Sequence, residues 1–260
     1  MDEVASQMKK KTKNLPDRIL ICDLSESNSI GDCHRYGDFK QYYSFHPTSE
    51  RISRVPTGFF IDIWEKIGRP LDFFMLDIGC NEGNLTIEMK ELAQAELPGV
   101  KCHMLGIDLN SFLIRKAASK TSTDSSITFR TINIATDGLN EIKSYMIDES
   151  ITHFALISCF SITMWIHVNH GDAGLKKFIN DCSLLSSSTI LIEPQTWVSY
   201  RKAMTRCRRL GIEELPHYYD LRIRDIRSFL ISDLCDEKGY RQFINIAESE
   251  WKRQLMIFQK

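Results

Sequence analysis

The run Phe73-Phe74-Met75-Leu76-Asp77-Ile78-Gly79-Cys80-Asn81-Glu82-Gly83 constrains this chain more than any other part of it. An apolar stretch of strand length ends in an acid, breaks into a glycine-containing turn and leads into a helix beginning near Asn84. A second apolar stretch at 101–108 again ends in an acid, Asp108. Helix is expected at about 111–119, strands at 127–132 and 152–159, helix at about 172–185, and strand from Thr189 to Glu193. Ahead of these, Pro56 suits a first helical turn, and Phe59, Phe60, Ile63, Trp64 and Ile67 recur at three-and-four spacing before Gly68. Strands alternating with helices imply a parallel sheet covered on both faces. The last two strands, 240–247 and 252–259, flank a turn at Ser249 and Glu250 and predict an antiparallel hairpin on the sheet edge. The expected fold is therefore α/β, a doubly wound, mostly parallel sheet with a C-terminal antiparallel hairpin.

At 260 residues the chain suits one large domain, read here as 36–260, behind an N-terminal extension at 1–35 expected to be partly disordered. Within the extension, Lys9, Lys10, Lys11 and Lys13 make either a solvated tail or an arm that grazes RNA. A net charge of −1 neither requires nor excludes a polyanion partner, so local charge has to be inspected. Eight cysteines occur without a CxxC pair, which gives a zinc site or redox dithiol little support. No signal-like core or membrane-length apolar run is evident, and the expected compartment is reducing: cytoplasm, with the nucleus as second choice.

Ligands of open α/β sheets lie outside the carboxyl ends of the strands, where strand order switches. The turn Asp77-x-Gly79-x-x-x-Gly83 sits at such an end but lacks the third glycine that a dinucleotide pyrophosphate needs. S-adenosylmethionine carries no phosphate and does not need it. Asp108 is placed to accept from ribose hydroxyls, and Asn133 with Ile134 offers adenine a polar edge and an apolar wall. Asp77 has a competing reading as an acid that merely stabilises the turn. The ordered set favours a methyltransferase over an oxidoreductase.

Four further clusters differ from ordinary core. Tyr36 to Pro47, with Arg51 behind, mixes aromatics and bases as a lid over a base and phosphate would. Phe160 to Asp172 crowds polar and aromatic groups after the fourth strand; His167 and His170 lack a third metal ligand, so no metal is expected. His167 reads as structural or phosphate-contacting. Glu193 to Tyr200 ends the fifth strand, where Glu193 can orient Arg or His partners and Trp197 either stacks on a base or is simply buried. The run Arg201, Lys202, Arg206, Arg208 and Arg209, followed by Arg222, Arg224 and Arg227, is either a solvated helix face or a phosphate-binding surface. Substrate contacts are thus expected near 36–51 and 195–227, with Trp197, Arg201, Arg206 and Arg209 as RNA-binding candidates.

With these motifs assembled, the chain resembles the bicoid-interacting-three family of RNA methyltransferases, and within it the branch acting on RNA 5′-monophosphates. The resemblance rests on Tyr42-Tyr43-Ser44-Phe45-His46-Pro47, Leu76 to Asn81, Thr163 to Asp172, and Glu193-Pro194-Gln195-Thr196-Trp197. It implies a class I, Rossmann-like S-adenosylmethionine-dependent fold, with cofactor contacts at Tyr43, Arg51, Gly79, Asn81, Asp108, Asn133, Ile134 and Phe160. It also implies histidine tRNA as substrate, with precursor microRNA as a second candidate. The capping branch, which methylates a small nuclear RNA γ-phosphate, has Lys where this chain has Met164 and Arg where it has His46; losing two cations fits a shorter phosphate chain.

The chemistry asks little of the protein. A terminal phosphomonoester has a second pKa of about 6 and is mostly dianionic at neutral pH. Positioning and exclusion of water then matter more than a general base. Tyr42, His46, His167 and Gln195 are the candidates to position the phosphate, in a chain expected to be monomeric. The rival readings are a γ-phosphate capping enzyme, a small-metabolite methyltransferase and a non-catalytic RNA-binding scaffold.

Overall fold

The structure, a computed structural model, describes residues 34–37, 39, 42–246 and 248–260. The Lys-rich stretch and nearly all of the expected extension at 1–35 lie outside the described residues, as do Asp38, Lys40 and Gln41 of the first aromatic cluster.

Among the described residues, seven strands form one sheet: β1 (Asp72–Ile78), β2 (Lys101–Asp108), β3 (Ile127–Thr131), β4 (Phe154–Phe160), β5 (Ser186–Glu193), β6 (Gln242–Ile246) and β7 (Leu255–Gln259). Their order is β3-β2-β1-β4-β5-β7-β6. The first five are mutually parallel, and β7 lies antiparallel between β5 and β6. The mostly parallel sheet and its terminal hairpin are as the sequence predicts. The chain builds outward from β1 to β3, returns to β4 and builds the other way, which puts the switch point between β1 and β4.

Alternation along β1 explains the two covered faces. Phe73 and Met75 face a core shared with α1 to α4: Tyr42–Phe45, Thr48–Ile52, Phe59–Lys66 and Asn84–Glu96, respectively. Leu76 and Ile78 face the other core, with α6 (Gly138–Asp148), α7 (Thr163–Leu185) and α8 (Trp197–Leu210). Strand β4 is buried at every residue, as a central strand covered on both faces must be. Helix α5 (Ser111–Lys120) follows β2, and α9 (Ile226–Ile231) runs into a π-helical turn at Ser232–Glu237.

Several helices depart from the expectation, among them α6, α7 and α8. Helix α6 went unrecognised between two strands because it opens on Gly138, a poor helix former. Its Ile142, Tyr145 and Met146 nonetheless keep helical spacing and are buried. The helix expected at 172–185 is only the second half of α7; the first half starts at Thr163 and the two meet at a kink where Gly171 has φ 69°. The basic run and Trp197 lie on α8, capped by Gly211 in the left-handed region at φ 63°. Of the described cysteines, Cys80, Cys102, Cys159, Cys182 and Cys207 are buried and unpaired, as small hydrophobes are.

Candidate active site

A cleft of about 950 Å³, counting space open to solvent, lies over the carboxyl ends of the parallel strands. Every residue expected to touch the cofactor lines it: Tyr43, Arg51, Asp77, Gly79, Asn81, Asp108, Asn133, Ile134 and Phe160. Sheet order gives the cleft two ends, one over β1 to β3 and the other over β4 and β5.

The first end is held by backbone hydrogen bonds to side chains. Asp108, closing β2, accepts from the amide of Asn81 through Oδ2 and from that of Asn110 through Oδ1, both at 2.9 Å. The turn and the start of α5 are thereby fixed to one carboxylate. Asn110 then caps α5 through the amide of Phe112 at 2.9 Å. Gly79 has φ 79°, and a Cβ there would stand 2.9 Å from Ile162 Cδ1, so glycine lets the backbone border the cleft. Asn81 holds φ 52° and donates to the Phe39 carbonyl at 3.3 Å. Asn133 is exposed and Ile134 buried, a polar edge beside an apolar wall.

Asp77 is buried beneath this turn, accepting from Thr86 Oγ1 at 2.6 Å and Ser158 Oγ at 2.7 Å. Burial holds its pKa above the usual carboxylate value, against those two hydrogen bonds. Its carboxylate ties β1 to α4 and β4. An acid at a strand end, a glycine turn without a pyrophosphate cradle and an apolar wall together fit S-adenosylmethionine.

The second end is electrostatic. Glu193, closing β5, is fully buried and receives Arg51 in a fork: Nη2 to Oε1 at 2.7 Å and Nε to Oε2 at 3.3 Å. Arg54 and Arg253 approach the same carboxylate at 3.6 Å. Burial would raise the Glu193 pKa, but Arg51, then Arg253 and the Ser161 hydroxyl, outweigh it and hold it low. Arg51 also donates to Tyr42 Oη at 2.7 Å and Ser161 Oγ at 2.9 Å. Ser161 has φ 59°, so the hydroxyl that reaches this cluster sits on strained backbone. Burial works to raise the Tyr42 pKa, yet Arg51 and Arg253 bring it below the ordinary phenol value.

Tyr42 alone of the four phosphate-positioning candidates lines the cleft. His167 is buried, with Nδ1 on Tyr200 Oη at 3.0 Å and Nε2 on Asp172 Oδ1 at 2.7 Å, so both ring nitrogens are occupied within the protein. Asp172 in turn accepts from the amides of Arg222 and Ile223, and the pair straps the 211–225 segment to α7. Gln195 is likewise consumed: its Oε1 accepts from Thr163 Oγ1 and the Met164 amide, each at 3.1 Å, and its Nε2 donates to the Ser161 carbonyl. Both are corrected from phosphate contacts to positioning residues. His46 packs between Tyr42 and Trp251, with ring centroids at 4.9 and 4.7 Å. Burial, then Arg253 and Arg51, lower its pKa to about 4, so it is neutral at physiological pH. It supplies no cation.

Comparison with known proteins then decides the family. The model of the Bicoid-interacting protein 3 (Bin3) family matches residues 154–260. A Danio rerio pre-miRNA 5′-monophosphate methyltransferase is 30% identical over 91% of this chain and 96% of its own. A Xenopus laevis protein of the same name is 31% identical over 86% and 91%. The chain belongs to the Bin3 family. A Drosophila melanogaster U6 snRNA methylphosphate capping enzyme is 25% identical over 87% of this chain and 75% of its own. In fold, the chain is similar to the Bradyrhizobium japonicum N-methyltransferase NodS solved with S-adenosyl-L-homocysteine, at TM-score 0.50, 15% identity, and 85% and 91% coverage. This Bin3-family chain is an S-adenosylmethionine-dependent methyltransferase of class I fold.

The expected RNA contacts fall outside the main cleft. Arg201, Arg206 and Arg209 line a separate groove along α8 with Lys202, since they recur at near-helical spacing on one face. Arg206 also lies over the Phe39 ring at 5.0 Å. Trp197 stacks with Tyr200 and Tyr218, at centroid distances of 4.9 and 5.7 Å, and Arg224 covers it at 5.3 Å. Its ring is thus engaged within the protein but only half-buried, between the two alternatives drawn from the sequence. Sequence reading missed Ser161, Trp165 and Asn169 as individual cleft residues, and Arg253 altogether. A basic residue on a hairpin turn carries no local signal that it will meet a strand-end glutamate.

Proposed function

We propose that this chain methylates a 5′-phosphate oxygen of RNA, and that its acceptor is a terminal monophosphate. The observation that carries this reading is the wall of Arg51, Tyr42 and Ser161 at one end of a cleft whose other end carries Asp108 and Asn133. The relatives named for RNA 5′-monophosphate methylation support it. When bound, S-adenosylmethionine supplies an electrophilic methyl group on a neutral leaving group.

The protein's part follows from the charges. The phosphate oxygen forms the new O–C bond while the methyl–sulfur bond breaks and its electron pair stays on sulfur. The phosphate goes from dianion to monoanion, and no proton has to move. Asp108 and the Asn81 turn position the donor; Arg51 and Tyr42 orient the phosphate. The buried Arg51–Glu193 fork keeps the guanidinium from collapsing onto the nucleophilic oxygen, and Phe160 helps exclude water. The groove on α8, with Arg201, Arg206 and Arg209, steers the RNA backbone.

Histidine tRNA is the first candidate substrate and precursor microRNA the second, acted on by a monomer in the cytoplasm or nucleus. The capping reading has the U6-directed relative behind it. Against it, Met164 is buried in the core with no charge to offer a longer phosphate chain. Transfer of labelled methyl from S-adenosylmethionine to small RNA, with and without prior phosphatase, tests the proposal. Label that phosphatase treatment prevents is the expected result; label that persists moves the acceptor to a base or ribose.

A further inference from the structure

The loop between β6 and β7 is docked onto the 42–54 segment, and its docking brings one side chain behind the Tyr42–Ser161 wall at the acceptor end of the cleft. The Glu250 amide donates to Glu50 Oε1 at 3.1 Å. The Arg253 carbonyl accepts from Arg54 Nη2 at 3.0 Å and from the Ser249 amide at 2.8 Å. The Trp251 ring meets His46 at 4.7 Å and the Arg51 guanidinium at 5.4 Å. With its backbone pinned, Arg253 sends Nη1 to Ser161 Oγ and, at 3.4 Å, to Tyr42 Oη. Both hydroxyls belong to residues that line the cleft.

Charge there does not balance locally. Three guanidiniums surround the single carboxylate of Glu193, and Arg51 already occupies both its oxygens. Arg51 is 1% exposed and Arg253 14%. Arg51 is the closer partner of Glu193; Arg253, farther from that carboxylate, keeps N–H donors and charge for a ligand. Glu50 tempers Arg54.

We propose that Arg253 is a specificity-determining residue of the acceptor site, reading the dianion of a terminal phosphomonoester at the Tyr42–Ser161 wall. The proposal rests on the 5′-phosphate reading above and adds the C-terminal hairpin to the acceptor site. A guanidinium matches phosphate oxygens bidentately, and a charge-assisted pair outside bulk water discriminates against an end that lacks the charge. An internal phosphodiester carries a single charge and a 5′ hydroxyl none, so Arg253 favours the chain terminus over the rest of the RNA.

The test compares a short synthetic RNA bearing a 5′ phosphate with the same RNA ending in a 5′ hydroxyl, binding each to the full chain loaded with S-adenosylhomocysteine. The wild-type protein prefers the phosphorylated RNA by roughly tenfold or more, the scale of one charge-assisted hydrogen bond. In Arg253→Gln the ratio falls toward one while affinity for S-adenosylhomocysteine and for the hydroxyl RNA is unchanged; Arg253→Lys recovers part of it. A merely structural Arg253 moves all three affinities together. An unchanged ratio in Arg253→Gln, or parallel loss of cofactor affinity, overturns the assignment. Should Arg253→Gln fail to fold, Arg253→Lys reads the same ratio, and a ratio equal to wild type counts against the proposal. If the wild-type protein itself shows no preference, the 5′-phosphate acceptor is wrong, whatever Arg253 does.

Discussion

The two ends of the cleft are built on different principles. Over β1 to β3, the strand-end side chains hold neighbouring turns, Asp108 the amides of Asn81 and Asn110 and Asn110 the helix it caps, while Asp77 beneath them reaches Thr86 and, on β4, Ser158. Over β4 and β5, the site is assembled from three remote segments that converge on Glu193 and on the Ser161 hydroxyl: Arg51 and Arg54 from before the sheet, Ser161 after β4, and Arg253 from the hairpin. The first end is a set of local backbone geometries. The second is a charge cluster that exists only once the fold is complete, and its stability depends on a single buried carboxylate.

Removing that carboxylate is the severest way to break the comparison. In Glu193→Gln, three guanidiniums lose their common partner, and unfolding by denaturant should show a loss of about 3–5 kcal/mol, the usual cost of breaking a buried pair from one side. A loss well under 1 kcal/mol would mean that the second end is not braced by charge. Asp108→Ala tests the first end: affinity for S-adenosylhomocysteine should drop by roughly tenfold to a hundredfold in calorimetric titration, with the RNA preference of the other end intact. Unchanged affinity removes Asp108 from the donor site.

A smaller effect belongs to the groove on α8. Arg206→Glu with Arg209→Glu should raise the RNA Michaelis constant and flatten its salt dependence, without touching cofactor affinity. The slope should fall by about 0.7 for each single-stranded phosphate that the protein no longer neutralises. If the Michaelis constant does not move, the run is only a solvated face. The mildest prediction concerns pH. Burial, then arginine neighbours, lower the pKa of His46 and His34 to about 4 from 6.5. Between those values the unfolded chain binds protons that the folded rings refuse, so stability falls as pH drops from about 6.5 toward 4. The melting temperature should follow, and His46→Gln should flatten the decline; an identical slope would show that His46 is not held neutral by its surroundings.

The same contrast explains what was legible in the sequence. Strand-end acids and a glycine turn are local patterns, so β1, β2 and the mostly parallel character of the sheet could be read directly. Helix α6 hid behind Gly138. His167 and Gln195 looked functional because they are polar residues beside a cleft. Only the fold shows His167 spent on Tyr200 and Asp172, and Gln195 on Thr163, Met164 and Ser161. Glu193 as an organiser of arginines was foreseeable, since a buried strand-end acid needs cations. Which arginines it gathers was not: Arg51 and Arg253 lie on either side of it, at 142 and 60 residues' distance along the chain.

The central claim is that one end of the cleft presents a methyl donor to a phosphate held at the other. Phosphorus NMR of a 5′-phosphorylated RNA, before and after incubation with the protein and S-adenosylmethionine, tests it most directly. The account predicts that the terminal phosphomonoester resonance, which moves with pH through its ionisation near about 6, is replaced by one that no longer titrates there. A terminal resonance that keeps its titration while methyl appears elsewhere in the RNA would contradict it.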